Sequence, residues 1–134
     1  MATSTVIYKN GLRTEATHLK SGNSIITDAP TDNHGKGEAF SPTDLVATAL
    51  ASCMLTIMGI KAAAKDLDIE GAKVEVTKVM ASAPRRIAEA QIKITMPQND
   101  YSDADKKLLE GAARTCPVAK SLHPDLVQAV EFVW

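Results

Sequence analysis

A chain of 134 residues is long enough for one domain with a buried core and too short for two ordinary domains. Its 45% hydrophobic and 23% charged residues, with a net charge of −1, are typical of a soluble globular protein. The balanced charge and the 4% aromatic content argue against a nucleic-acid partner, which would require a basic stripe or stacking platforms. The first residues contain no apolar signal segment, so we expect a single cytoplasmic domain, residues 1–134.

The first 28 residues predict an antiparallel meander of three short strands. Thr3–Lys9 is the first strand, and the turn signal Asn10-Gly11 leads into the second strand, Leu12–Leu19. Ser24–Asp28 is the third. Three strands are marginally stable alone, so we expect this meander (1–28) to pack on a neighbouring subunit.

A loop rich in Gly, Pro, Asp and Asn, Ala29–Phe40, precedes the longest apolar run of the chain, Ser41–Leu67. Ser41 is a good N-cap, and Asp44 completes a capping-box pattern. The run is apolar on most sides, which predicts a buried central helix. Its uninterrupted apolar part is too short to predict a membrane span, so we expect no membrane partner. Cys53 should lie in the interior or at an interface.

The second half of the chain predicts a hairpin, two helices and a last strand. Their order after the central helix gives βββ-α-ββ-α-β, an α+β architecture with antiparallel sheets. The predicted ranges are Ala72–Ala81 and Arg86–Met96 for the hairpin, Ser102–Ala113 and Pro117–Leu122 for the helices, and Leu126–Val133 for the strand.

Two cysteines are too few for a disulfide framework or a structural zinc site. The three histidines do not have metal-ligand spacing either, so no metal site is predicted. From composition, Cys53 and Cys116 are two buried free thiols or a redox pair, and both interpretations stay open.

A reactive thiolate needs a nearby cation or a helix N-terminus. Cys116 lies at the start of the helix opened by Pro117, with Arg114 and Lys120 close in sequence. Cys53 lies about three turns inside its helix, where the effect of the helix end has faded. Local sequence therefore favours Cys116 as the better-activated thiol.

Three segments together resemble the OsmC/Ohr family: Ser41-Pro42-Thr43-Asp44-Leu45, Ala51-Ser52-Cys53-Met54 and Cys116-Pro117-Val118. The order of elements matches over essentially the full chain. The resemblance implies an OsmC-like fold around the central helix and an intertwined homodimer with both sites at the subunit interface. It implies no metal and no organic cofactor.

The same resemblance implies a cysteine-based peroxidase, with peroxiredoxin-type chemistry, for organic hydroperoxides and hydrogen peroxide in oxidative-stress defence. Cys53 would attack the peroxide, Cys116 would resolve the sulfenic acid as a disulfide, and a lipoyl-type or other dithiol would restore the thiols.

The family also places an arginine from the N-terminal hairpin over the reactive thiol, and Arg13 matches that position. Its peroxidases pair this arginine with a glutamate two residues into the core helix, where this chain has Thr43. Glu38 and Asp44 are the nearby carboxylates, and Phe40 is expected to support the substrate site. The departure leaves an alternative: an OsmC-like redox or small-ligand-binding protein without efficient peroxidase activity.

Overall fold

The computed structural model describes all residues, Met1–Trp134, and confirms the α+β fold class. The chain divides into two compact units, Met1–Val46 and Ala47–Trp134. The elements in chain order are β1 Ser4–Tyr8, β2 Arg13–His18, β3 Ser24–Asp28, a 3₁₀ turn Thr31–Asn33, α1 Pro42–Ala64, β4 Lys73–Ala81, β5 Arg86–Thr95, α2 Asp103–Ala113, α3 Pro117–Ser121 and β6 Val127–Val133.

The first unit contains the predicted meander, an antiparallel sheet in the order β1-β2-β3. The Asn10-Gly11 turn is closed by a 2.9 Å hydrogen bond from the Lys9 N–H to the Arg13 carbonyl. Arg13 is thereby fixed as the first residue of β2, and the register places it directly opposite Asp28 of β3.

The loop after β3 folds back on itself through backbone contacts. The N–H of Gly35 donates to the Pro30 carbonyl at 2.9 Å, and the N–H of Gly37 donates to the Ala29 carbonyl at 3.2 Å. A Cβ on Gly35 would overlap the Ala29 carbonyl oxygen, so only glycine fits there. This close approach holds the end of the loop, including Glu38, beside the β2–β3 pair.

Helix α1 begins with the predicted capping box. The Ser41 N–H donates to Asp44 Oδ2 at 3.0 Å, and the Asp44 N–H donates to Ser41 Oγ at 3.1 Å. The helix runs on to Ala64, and by length and mean hydropathy (1.8) it meets the description of a membrane span. The core helix of a soluble protein meets it too, and α1 buries a stripe at helical spacing. Its buried residues are Ala47, Leu50, Ala51, Met54, Met58 and Ala62.

The second unit has a sheet in the order β4-β5-β6, and here one prediction is wrong. β4 and β5 are antiparallel as expected, but β6 runs parallel to β5. Helices α2 and α3 lie between these two strands in the chain and return it to the end of the sheet at which β5 begins, as a parallel connection requires. The sheet is therefore mixed rather than antiparallel.

The core of the second unit is assembled from one face of α1, the central strand β5 and helix α2. The most completely buried members are Leu50, Met58, Ile94 and Leu109. α2 is held at its start by the predicted Ser102 cap, whose Oγ accepts the Asp105 N–H at 3.0 Å. Cys116 belongs to this core, and Cys53 packs against it from α1.

Candidate active site

Cys116 lies at the N-cap of α3, as the sequence predicts, but its environment is not activating. The thiol is fully buried, and its Sγ accepts a hydrogen bond from the Ala119 N–H at 3.3 Å. Burial raises the pKa of Cys116, and this effect exceeds the opposing influence of the Ala119 N–H. The activation that the helix start was expected to give Cys116 is therefore not found, because desolvation outweighs the effect of the short helix on its pKa.

The cations that flank Cys116 in sequence do not change this. The Arg114 guanidinium lies over the Phe132 ring, 5.6 Å from its centroid. No basic side chain is among the main causes of the raised pKa of Cys116.

Cys53 and Cys116 are brought together within the second unit. The Cys53 side chain lies close enough to that of Cys116 to raise the pKa of Cys116. Both cysteines are free thiols, and Cys53 is half-buried whereas Cys116 is completely buried. The more accessible sulfur thus lies on the central helix, and its partner lies in contact with it.

The other sequence-predicted charge, Arg13, forms an ion-pair cluster in the first unit. Its Nε donates to Asp28 Oδ1 at 2.7 Å, and its Nη2 donates to Asp28 Oδ2 at 2.8 Å. Nη2 also donates to Glu38 Oε1 at 3.0 Å. The carboxylates that hold Arg13 are therefore Asp28 and Glu38, and the pKa of Arg13 is raised mainly by its hydrogen bonds to Asp28.

Asp28 is the member of this cluster that sequence reasoning missed. It is the only charged residue among the buried side chains, and it accepts a third hydrogen bond, 3.1 Å long, from the Glu38 N–H. The Arg13 hydrogen bonds lower its pKa, and the Glu38 N–H adds to this. The missed signal was the hairpin register, which pairs Asp28 with Arg13 across β2 and β3.

The remaining predicted site residues have local roles. Asp44 completes the α1 cap, and the Thr43 hydroxyl lies 3.2 Å from Ser41 Oγ in the same cap. The Phe40 carbonyl accepts the Asp28 N–H at 3.1 Å, and the Phe40 side chain is exposed. Their assignment to a substrate site stays a prediction.

An open cavity of about 560 Å³ lies on the second sheet, away from the thiols. Its lining includes Glu75, Thr77, Gln91 and Lys93, and neither cysteine contributes to it. Because it offers no nucleophile, we assign it no role in thiol chemistry.

Replacing Asp28 by Asn should make the stability of the fold less dependent on pH in the acid range. Because the folded-state pKa of Asp28 is lowered, its stabilising effect is present above about pH 4 and is lost as pH falls further. We expect the melting temperature of wild type to fall more steeply than that of Asp28→Asn between about pH 4 and pH 2. Thermal unfolding by circular dichroism, with exposed Asp100→Asn as control, checks this; equal slopes for wild type and Asp28→Asn contradict it.

The chain is thus an α+β protein in which a half-exposed thiol lies beside a buried one. Comparison with known proteins specifies the class: residues 35–130 match the family model described as OsmC-like protein. The chain belongs to the OsmC-like protein family. No curated protein sequence matches it.

Solved structures agree with this assignment. A candidate osmotic stress induced and detoxification response protein of Psychrobacter arcticus 273-4 is 59% identical, with 98% of this chain and 96% of that chain covered and a TM-score of 0.94. An organic hydroperoxide resistance protein OsmC of Legionella pneumophila is 13% identical over 100% of this chain and 98% of that one, with a TM-score of 0.77. OhrB of Bacillus subtilis, also an organic hydroperoxide resistance protein, is 16% identical over 98% of each chain, with a TM-score of 0.69. The last two share the fold.

Proposed function

We propose that this protein is a thiol-dependent peroxidase that reduces organic hydroperoxides. The observation that carries the proposal is the contact between two free thiols of unequal exposure, Cys53 and Cys116. A peroxidatic sulfur must be reached by substrate, whereas a resolving sulfur needs only to reach its partner. Cys53 is half-buried and can be reached by substrate, whereas Cys116 is completely buried and needs only to reach Cys53.

In the first step the Cys53 thiolate attacks the terminal oxygen of R–O–OH. A sulfur–oxygen bond forms, the O–O bond breaks, and the leaving alkoxide takes a proton to give the alcohol. Cys53 is thereby oxidised to a sulfenic acid and the peroxide is reduced. Arg13 is the residue proposed to stabilise the thiolate and orient the peroxide, because a guanidinium stays charged and offers a fork of donors.

In the second step Cys116 attacks the sulfenic sulfur. A disulfide forms, and the hydroxide that leaves Cys53 combines with the Cys116 proton as water. The raised pKa of Cys116 keeps this thiol protonated until it reacts. A dithiol of the lipoyl type or a similar one then reduces the disulfide by thiol exchange and becomes a cyclic disulfide itself.

The substrate preference follows from the surroundings of Cys53. It packs against an apolar core that contains Leu50 and Met54, and Val118 lies in the same cluster. An apolar peroxide gains from burial beside such side chains, which hydrogen peroxide does not. Organic hydroperoxide resistance proteins share the fold. We place the activity in oxidative-stress defence in the cytoplasm, without a metal or organic cofactor.

The proposed working form is a homodimer. The first sheet leaves large apolar side chains exposed, including Val6 (63%), Tyr8 (58%) and Ile25 (52%), and the register aligns Val6 with Ile25 across Ala16. Such a patch on a three-stranded sheet is typical of an interface. A second copy of this chain is the occupant that the family suggests.

The dimer should be detectable by mass. Wild type is expected to sediment at twice 14.3 kDa, that is 28.6 kDa, because the apolar sheet face is covered in the dimer. Ile25→Lys should shift the population towards monomer at micromolar concentration, with Ser21→Lys in the adjacent turn as control. Analytical ultracentrifugation gives the answer, and a wild-type monomer would contradict the proposal.

The peroxidase proposal is tested by stopped-flow consumption of cumene hydroperoxide by the reduced protein. We expect a burst stoichiometric with Cys53, faster with cumene hydroperoxide than with hydrogen peroxide. If no burst occurs and an apolar ligand raises the melting temperature according to RT ln(1 + [L]/Kd), the ligand-binding alternative replaces it.

A further inference from the structure

One polar side chain interrupts the core-facing side of β6. Gln128 shares that side of the strand with Val130 and Phe132, which pack against the core. On the neighbouring strand it lies opposite Ala90, which is only 1% exposed. An apolar residue would suit such a position better, because a polar group that leaves water needs a hydrogen-bond partner. The partner of Gln128 therefore shows what this side chain does.

That partner is a backbone carbonyl of α3. Gln128 Nε2 donates to the Ala119 carbonyl at 2.9 Å. The last four carbonyls of a helix have no partner within it, and α3 has only five residues before Leu122 turns to extended backbone. A second side-chain hydrogen bond, from Ser121 Oγ to the Pro117 carbonyl at 2.8 Å, stays inside the helix. Gln128 thus ties α3 to β6.

The residue that Gln128 holds is also the one that contacts the buried thiol. The Ala119 N–H donates to Cys116 Sγ at 3.3 Å, while the Ala119 carbonyl accepts from Gln128. A helix of five residues is too short to be stable by itself, so the direction of this N–H depends on contacts from outside α3. Packing of Val118 against the core is not directional, whereas the hydrogen bond from Gln128 is.

The two cysteines are carried by elements of very different length. Cys53 lies in the middle of α1, a helix of 23 residues with a buried stripe, whereas Cys116 caps the five-residue α3. Disulfide formation is demanding, because the two Cα atoms must come within about 7 Å and the dihedral angle about the sulfur–sulfur bond must approach about 90°. The placement of α3 therefore decides how readily the pair closes.

We propose that Gln128 is a positioning residue for the resolving step, in which its amide holds α3 through the Ala119 carbonyl and keeps Cys116 Sγ directed at oxidised Cys53. In that step the sulfur–sulfur bond forms, the S–OH bond of Cys53 breaks, and the hydroxide leaves as water with the Cys116 proton. Gln128 itself forms and breaks no covalent bond. The inference rests on the proposed peroxidase function, because the resolving step belongs to that cycle.

Gln128→Met removes the donor and keeps a flexible side chain of similar length that suits the apolar neighbours. Stopped-flow mixing with cumene hydroperoxide, followed by quenching and mass spectrometry, gives the rates of both steps. We expect the oxidation of Cys53 to stay within about twofold of wild type and disulfide formation to slow by about tenfold. Gln91→Met, the same change on the exposed side of β5, is the matched control and should alter neither rate.

Gln128→Glu is the second variant, because a carboxylate of the same size cannot donate to the Ala119 carbonyl. It should slow disulfide formation at least as much as Gln128→Met, with a cooperative melt by circular dichroism in both variants. The split between the two steps is the readout that a general loss of structure would not give. Disulfide formation as fast as in wild type overturns the proposal, and so does an equal slowing of both steps.

Oxidation by diamide separates this inference from the peroxidase function. Diamide adds to the Cys53 sulfur without any peroxide, and Cys116 then displaces the hydrazine product to close the disulfide. If wild type fails to reduce peroxide but Gln128→Met closes about tenfold more slowly after diamide, the peroxidase function is wrong and the positioning role stands. If wild type reduces peroxide and Gln128→Met closes at the wild-type rate with both oxidants, the function stands and the positioning role is wrong.

Discussion

Replacing Cys53 by serine should abolish the rapid reduction of cumene hydroperoxide, with a loss of about 10³-fold or more in the second-order rate constant. The only other thiol, Cys116, is completely buried, and burial raises its pKa. It can therefore neither meet the peroxide nor supply much thiolate at neutral pH. Stopped-flow measurement on the fully reduced variant gives the rate directly.

The fold should survive this change, because serine is close to cysteine in size and Cys53 is only half-buried. Circular dichroism should show an unchanged helix content and a cooperative melt. Ser52→Ala, at the exposed neighbouring position, is the matched control and should retain the wild-type rate. A Cys53→Ser variant that reacts as fast as wild type contradicts the assignment of Cys53 as nucleophile.

Replacing Cys116 by serine should leave the first oxidation intact and stop the catalytic cycle at the sulfenic acid. We expect the burst rate to stay within about threefold of wild type, while turnover with a dithiol falls by about tenfold or more. Cys53 should accumulate as sulfenic acid, which dimedone traps, and should proceed to sulfinic acid with excess peroxide. Mass spectrometry identifies both products.

The Cys116→Ser substitution should preserve the local structure around α3. A serine hydroxyl can accept the Ala119 N–H as the Cys116 sulfur does, so α3 keeps its N-cap. Loss of turnover then reports loss of the resolving thiol rather than loss of the helix. Turnover equal to wild type would show that a disulfide between Cys53 and Cys116 is not part of the cycle.

The elements of the fold were accessible from the sequence because their signals are local. The Ser41 and Ser102 caps, the Asn10-Gly11 turn and the alternation of β4 each depend on residues within a few positions of one another. The direction of β6 depends instead on how α2 and α3 return the chain across the sheet. Short-range sequence patterns contain no information on that path, so β6 was expected to be antiparallel to its neighbour.

What the sequence could predict about the two thiols was limited in the same way. The N-cap position of Cys116 was predicted correctly, but its burial is a property of the assembled core, and burial decides its pKa. The contact between Cys53 and Cys116 joins residues far apart in sequence, so only the family resemblance indicated it. Asp28 required the register of the hairpin, although the strand and turn that determine that register were both predicted.

The central claim is that Cys53 and Cys116 form one redox pair, and a single oxidation tests it most directly. One equivalent of cumene hydroperoxide is added to the anaerobically reduced protein, which is then quenched by alkylation and mapped by mass spectrometry. The account predicts a loss of about 2 Da and one intramolecular disulfide joining Cys53 to Cys116. Two thiols that both remain open to alkylation under denaturing conditions after this treatment would contradict it.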